Sequence, residues 1–168
     1  EYFILFNNDL IFHGPKILEN ILKEVKENNL DLYSPSITNS SIGQCHWKQM
    51  WNWGTGTVRE VEFIDFMCPV FSRKMAETIK RFPDELFLGW GPDFYAGILA
   101  EENNLKMGVS DNITLTHLVS QTFKNGAIKI KESDFCQQAD GNMHRYFLNS
   151  PMKNKFLSLR EKSSNYTL

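Results

Sequence analysis

The chain has 168 residues, a formal net charge of −2 and a hydrophobic fraction of 42%, which together suit a folded domain and exclude a disordered chain. The near-neutral charge argues against a dedicated nucleic-acid-binding protein, which normally carries a strong basic excess. Three scattered cysteines exclude a disulfide framework or a zinc site, and no apolar run is long enough to span a membrane. We therefore expect a reduced, cytoplasmic protein, with peripheral association at the inner face of the membrane left open.

The first part of the sequence predicts a strand, a helix and a second strand. Residues 2–6 form a short apolar run that is typical of a buried strand in a parallel sheet. A Gly-Pro pair then begins a helix with an apolar stripe, which two asparagines end at residues 28–29. Residues 30–34 form the second strand, so the order is that of an α/β fold. Because the chain begins with Glu1 inside the first strand, we expect an N-terminal portion to precede it.

A long polar segment follows over residues 36–57. It carries Trp47, Trp51 and Trp53, and a loop of this length with three tryptophans is typical of a functional lid that orders on ligand binding.

The remaining elements are short. The patterns predict a strand over 58–71 with a break near 60–62, a helix over 73–81, a helix over 92–103, strands over 106–109 and 113–118, and helices over 143–148 and 152–159. The composition becomes polar after residue 122. We therefore divide the chain into residues 1–122 and a polar C-terminal extension with short helices over 123–168.

Candidate metal ligands lie at the ends of the first and last predicted strands. Asp9 follows the first strand, and ligands of open α/β sheets bind beyond the carboxyl ends of the strands. Its carboxylate could hold a hard divalent cation, but Asn and Asp also form ordinary turns. His117 is either a satisfied core residue or a metal ligand, since neutral imidazole binds metals readily.

The segment Gly89-Trp90-Gly91-Pro92-Asp93 combines a flexible backbone with an exposed aromatic ring and an acid. An exposed indole suits stacking on the C–H face of a sugar. Asp93 falls in the first turn of the next helix, where it could compensate the helix dipole or act as a catalytic base in a cleft.

Over about residues 1–120 these motifs, taken in order, resemble the second half of a GT-A glycosyltransferase domain of the family 2 type. That type has an apolar strand ending in Asp-x-Asp, a helix, a strand ending near Pro, an acidic motif that opens a helix, and a final strand ending in His. The corresponding segments are 4–9, 34–35, 71–73, 82–87, 89–93, 107–109 and 116–117. The resemblance implies a GT-A-like mixed α/β sheet flanked by helices, with the N-terminal nucleotide-binding units absent.

The resemblance also implies a donor and metal site. Asp9 and His117 would hold a divalent cation, Mn²⁺ or Mg²⁺, and through it the diphosphate of a UDP- or GDP-sugar. Asn7 would lie beside this site, at the position where the family has its first Asp.

On the acceptor side, Asp93 would be the base that deprotonates the acceptor hydroxyl in inverting members. Trp90 and Gly91 would line the acceptor site, and Trp51 and Trp53 are expected to help shape it.

The implied function is that of a metal-dependent, inverting glycosyltransferase, which moves a sugar from a nucleotide donor to a glycan or lipid-linked acceptor. Two alternatives stay open. One is a non-catalytic carbohydrate-binding or scaffold domain that kept the GT-A shape. The other is a hydrolase that uses Asp9 and Asp93 as a carboxylate pair.

Overall fold

The structure is a computed structural model, and it describes residues 1–38, 47–86, 89–118 and 131–164. Six strands and five α-helices lie in these ranges. They are β1 (Tyr2–Ile4), β2 (Leu10–Phe12), α1 (Ile17–Glu27), β3 (Leu32–Ile37), β4 (Val58–Glu60), β5 (Val70–Ser72), α2 (Arg73–Ile79), α3 (Pro92–Glu102), β6 (Met107–His117), α4 (Glu132–Leu148) and α5 (Lys153–Ser164). Single 3-10 turns occur at Lys48–Met50 and Asp84–Leu86. The predicted α/β class is confirmed.

The strands form one mixed sheet in the order β1-β5-β3-β6-β2, with β4 also pairing with β6. Among the described strands only β3 and β6 run parallel; the other pairs are antiparallel. The two central strands shift register between Pro35 and Ser36, where β6 has three extra residues. This irregularity lets one continuous strand replace the two strands predicted over 106–109 and 113–118.

Helices pack against both faces of the sheet, and the side chains of each strand alternate between these faces. On one face α1 packs its apolar stripe, including Ile21 and Val25, against Tyr33 of β3. On the other face α2 and α3 pack against the sheet, with Met75 and Ala96 meeting Leu32. The amphipathic pattern of α1 therefore predicted that helix and its end correctly.

The C-terminal helices form a further layer on α3. Phe94 and Ile98 of α3 pack against Phe147 of α4 and Phe156 of α5, and the last two rings stack with centroids 4.4 Å apart. The helices predicted over 143–148 and 152–159 are parts of longer helices, of 17 and 12 residues, so their predicted lengths were wrong. The predicted boundary near residue 122 lies outside the described residues. None of the helices in the described ranges is long and apolar enough to cross a membrane.

The expectation of a buried first strand in a parallel sheet is wrong. β1 is an edge strand that pairs antiparallel with β5. Tyr2 and Ile4 contact the cluster beneath α1, whereas Phe3 faces the other way and is 42% exposed. An apolar run predicts burial only where both faces of a strand are covered, and an edge position does not guarantee that. The strand predicted over 58–71 is likewise two strands, β4 and β5, and the predicted break lies where β4 ends.

Candidate functional site

A cleft of about 390 Å³ opens at the N-terminal end of α3. Its described walls come from the turn after β1, the segment that precedes β5, the Gly-Trp-Gly segment and the two C-terminal helices. The lining residues are Asn7, Trp47, Asp65, Phe66, Gly89, Trp90, Gly91, Asp93, Phe94, Asp140, Met143 and Arg160. Four of the predicted site residues therefore share one cleft: Asn7 and, more than eighty positions later in the sequence, Trp90, Gly91 and Asp93.

The backbone around Trp90 explains why glycines flank it. Gly89 and Gly91 have φ angles of 83° and 102°, a region that L-residues with side chains rarely adopt. A Cβ atom on Gly91 would also lie 3.0 Å from side-chain atoms of Leu86 and Met143. This tight bend begins α3 and leaves the Trp90 side chain 39% exposed at the cleft.

Asp93 lies in the first turn of α3 and is partly buried. The backbone N–H of Phe94 donates a hydrogen bond of 2.8 Å to its Oδ1. Burial, together with the neighbouring carboxylate of Asp65, raises the pKa of Asp93 to about 8, although backbone hydrogen bonds at the helix start partly oppose that rise. A carboxyl group with such a pKa can exchange a proton near neutral pH, as a general base or acid must.

Asp9 and His117 meet at the edge of the sheet where β2 pairs with β6. The Asp9 Oδ2 and His117 Nε2 atoms are 3.4 Å apart, and both side chains are largely buried. Within the described part of the chain, the other polar atom of each side chain, Asp9 Oδ1 and His117 Nδ1, has no hydrogen-bond partner. Buried polar atoms are normally paired, so this pair has unused ligand capacity.

That capacity fits a divalent cation that a substrate helps to hold. Mg²⁺ is commonly bound through one or two carboxylates together with substrate phosphates, and Asp9 supplies one such carboxylate. In the described ranges no group of three or more His, Cys, Asp or Glu side chains is arranged to hold a metal by itself. The Asp9–His117 pair suits a shared site of this kind, and Asn7, two residues before Asp9, extends the same turn into the cleft.

The described cleft wall includes Trp47 but not Trp51 or Trp53. Backbone pairing with Ile37 ties Trp51 to the end of β3. The Trp53 indole N–H donates to the carbonyl of Lys48, and its ring stacks under the Arg59 guanidinium at 4.2 Å. The acceptor role expected for these two residues stays a prediction, and much of the predicted lid, residues 39–46, lies outside the described residues.

Three charged residues of the cleft were missed by the sequence analysis. Asp65 interrupts an apolar run between Ile64 and Phe66, and an acid in that position was the available signal. Asp140 and Arg160 come from α4 and α5 and gave no comparable signal, because charged residues are common on the surfaces of helices.

Asp140, His144 and Arg160 form a connected group at the rim of the cleft. Arg160 lies 3.4 Å from the Asp140 carboxylate and donates to Nε2 of His144. His144 Nδ1 lies 3.2 Å from the Asp140 carboxylate and 2.8 Å from the Asp140 carbonyl. These contacts fit an imidazole that carries its proton on Nδ1 and accepts from the arginine at Nε2.

Comparison with protein-family models and with curated protein sequences found no significant match.

Proposed function

We propose that this chain is a metal-dependent, inverting glycosyltransferase with a GT-A-like fold. The observation that carries the proposal is that one cleft is lined by Asn7 and by the predicted acceptor-side residues Trp90, Gly91 and Asp93. Asn7 is two residues before Asp9, which pairs with His117. A shielded acid with a raised pKa, an exposed indole and a buried pair of metal-type ligands are the parts that sugar transfer needs.

Each group has a separate task. A divalent ion, when bound, neutralises the nucleoside diphosphate that leaves as the bond to the sugar breaks. Asp9 and His117 would hold that ion, and the side-chain amide of Asn7 would donate hydrogen bonds to oxygen atoms of the nucleotide-sugar. Asp93 would accept the proton of the acceptor hydroxyl through its carboxylate. Trp90 would orient the acceptor ring beside it.

The donor half of the proposal is tested by thermal unfolding with UDP or GDP and Mn²⁺. At ten times the dissociation constant, a bound nucleotide stabilises the chain by about 1.4 kcal/mol, which raises the Tm by about 3–5 °C at this size. The rise should need both nucleotide and metal, and Asp9→Asn and His117→Ala should remove it. His13→Ala is the matched control, because His13 lies on the same sheet edge, is exposed and bonds only Thr116 among described side chains. If neither nucleotide moves the Tm with metal present, the transferase proposal fails.

The acceptor half is tested by Asp93→Asn. We expect transfer to fall by about 10²–10⁴-fold, because the amide cannot accept the proton. The nucleotide-dependent rise in Tm should persist, since Asp93 does not contact the Asp9–His117 pair. Transfer that continues at an unchanged rate would remove Asp93 from this role.

A non-catalytic carbohydrate-binding domain is the second candidate. It is favoured by the amide at Asn7 and by the absence of a three-ligand group in the described residues. It predicts sugar binding at the cleft without any effect of nucleotide and metal on the Tm. The hydrolase alternative pairs Asp93 with Asp9 and predicts that free sugar is released without an acceptor. The carboxylate whose charge acts on Asp93 is, however, that of Asp65.

A further inference from the structure

The cleft has an aromatic side and a polar side. Trp90, Trp47 and Phe66 supply flat apolar surface, and the indole of Trp90 is the exposed member. Such surface attracts the C–H face of a pyranose ring. The polar side carries Asp140 and Arg160, whose side chains contact one another.

The charge of the cleft is negative. Its described lining holds the carboxylates of Asp65 and Asp140, the carboxyl group of Asp93, whose pKa of about 8 keeps it mostly protonated at neutral pH, and a single cation, Arg160. That cation already contacts the Asp140 carboxylate, so its charge is balanced locally. An anionic ligand would therefore meet repulsion without a compensating basic cluster, because like charges brought together at an interface repel.

Hydroxyl groups suit the same surroundings. A carboxylate accepts hydrogen bonds from hydroxyls, and a guanidinium donates to them, and both contacts are strengthened by charge. The adjacent Asp140 and Arg160 side chains offer an acceptor and a donor side by side, with His144 holding them in place.

We propose that the acceptor is an uncharged sugar residue of a glycan, stacked on Trp90 and held through its hydroxyls by the Asp140–Arg160 pair. This inference rests on the proposed function, and it deepens it by naming the acceptor class. The C-terminal helices α4 and α5 thereby select the acceptor, and acidic or phosphorylated sugars are rejected.

The test is saturation-transfer NMR with two probes that differ only at carbon 6, methyl β-D-glucopyranoside and methyl β-D-glucuronide. The matched galactose pair is run alongside, each with and without UDP and Mg²⁺. We expect the neutral member of at least one pair to bind and its anionic partner to bind about tenfold more weakly or worse. Equal or tighter binding of the anionic members would overturn the proposal, as would no binding of any glycoside.

Variants then locate the bound sugar. Trp90→Ala and Arg160→Met should each weaken the neutral glycoside by about tenfold. Arg145→Met is the matched control, because Arg145 is exposed on α4 away from the cleft lining, and it should leave binding unchanged. Equal binding by all three variants would place the sugar elsewhere and overturn the proposal.

Asp140→Asn separates charge selection from a structural role. Removing that carboxylate should reduce the difference in binding affinity between the glucoside and the glucuronide. One source of repulsion is lost, while the amide still forms hydrogen bonds with hydroxyls. Asp134 is exposed near the start of the same helix, so Asp134→Asn should leave this difference in affinity unchanged. These measurements do not depend on Asp9 or His117, so their failure is distinguishable from loss of the nucleotide response.

Discussion

Two shielded carboxyl groups of this chain have opposite surroundings. Asp111, on β6, is fully buried and lies in a complete network. Its Oδ1 accepts from the Arg59 guanidinium at 3.0 Å and its Oδ2 from the Thr55 hydroxyl at 2.7 Å. Burial alone would raise the pKa of Asp111, but these hydrogen bonds outweigh it and the pKa is lowered.

Asp93 is instead shielded beside another acid. Burial and the charge of Asp65 raise its pKa to about 8. Asp111 therefore has a structural role, whereas the raised pKa of Asp93 suits the catalytic role proposed for it. A buried carboxylate whose polar atoms are all paired stabilises the fold. A carboxyl group whose ionised form is disfavoured by burial and by a neighbouring charge can exchange a proton near neutral pH.

Breaking the Asp111 network should have the largest effect on stability. Asp111→Asn leaves the Arg59 guanidinium buried without its counter-charge, and loss of one partner of a buried pair costs about 3–5 kcal/mol. Because the pKa of Asp111 is lowered, its contribution is present above the ordinary Asp pKa of about 3.9 and is lost as the pH falls below it. Urea unfolding at neutral pH measures the change.

The control for this prediction is Asp84→Asn. Asp84 pairs with Arg81 on the surface, where both side chains are mostly exposed, and such pairs contribute at most about 1 kcal/mol. Equal losses in the two variants would show that the Asp111 network is not what stabilises this region.

The comparison also shows which parts were predictable from the sequence. Asp93 and Trp90 stood out because glycines and a proline mark the start of a helix, and local chemistry alone places them together. Asp111 falls in the gap between the strands predicted over 106–109 and 113–118, where Ser110-Asp111-Asn112 is a turn-like sequence. Its partner Arg59 is more than fifty residues away, and only the pairing of β4 with β6 brings them together.

Trp51 and Trp53 are residues that the sequence singled out without indicating their partners. Their spacing in a polar segment indicated an acceptor loop, but a tryptophan pattern does not reveal its partner. The ring of Trp53 stacks on the guanidinium of Arg59, which is the partner of Asp111. This contact is local, since Arg59 is six residues from Trp53, and the expected acceptor role of both tryptophans stays a prediction.

Gly91→Ala should have the next largest effect and should act on the cleft. The new Cβ would meet Leu86 and Met143 at 3.0 Å, so the packing of α3 against α4 must shift. Overpacking of this sort costs about 1–3 kcal/mol beyond the strain of the positive φ. Unfolding in urea measures the total, and weaker binding of a neutral glycoside would show that the cleft has changed shape.

Gly54→Ala isolates the crowding. Gly54 also has a positive φ, of 70°, but a Cβ there would have nothing within 4 Å. Its backbone strain with alanine is milder than that at Gly91, because 70° lies at the edge of the left-handed region and 102° lies beyond it, and it lacks the clash. If both variants lose equal stability, the close packing around Gly91 contributes nothing of its own.

The smallest expected effect concerns the pH dependence of Asp93. Its pKa in the folded chain lies above the unfolded value of about 3.9, so the folded state binds the proton more tightly. Stability from this group is therefore fully present below about pH 4 and is lost as the pH rises through about 8. Asp93→Asn, which carries no charge at any pH, should match the wild type near pH 4 and exceed its Tm above pH 8.

Two further variants make this last expectation specific. Asp65→Asn removes the neighbouring charge, so the pKa of Asp93 should fall and the loss of stability with rising pH should become smaller. Asp134→Asn removes an exposed charge that is already fully ionised above pH 6, so it should leave the change in Tm between pH 6 and pH 9 as it is in the wild type. A wild-type Tm that changes with pH in the same way as that of Asp93→Asn would mean that Asp93 ionises at an ordinary pH, and the contrast with Asp111 would then rest on hydrogen bonding alone.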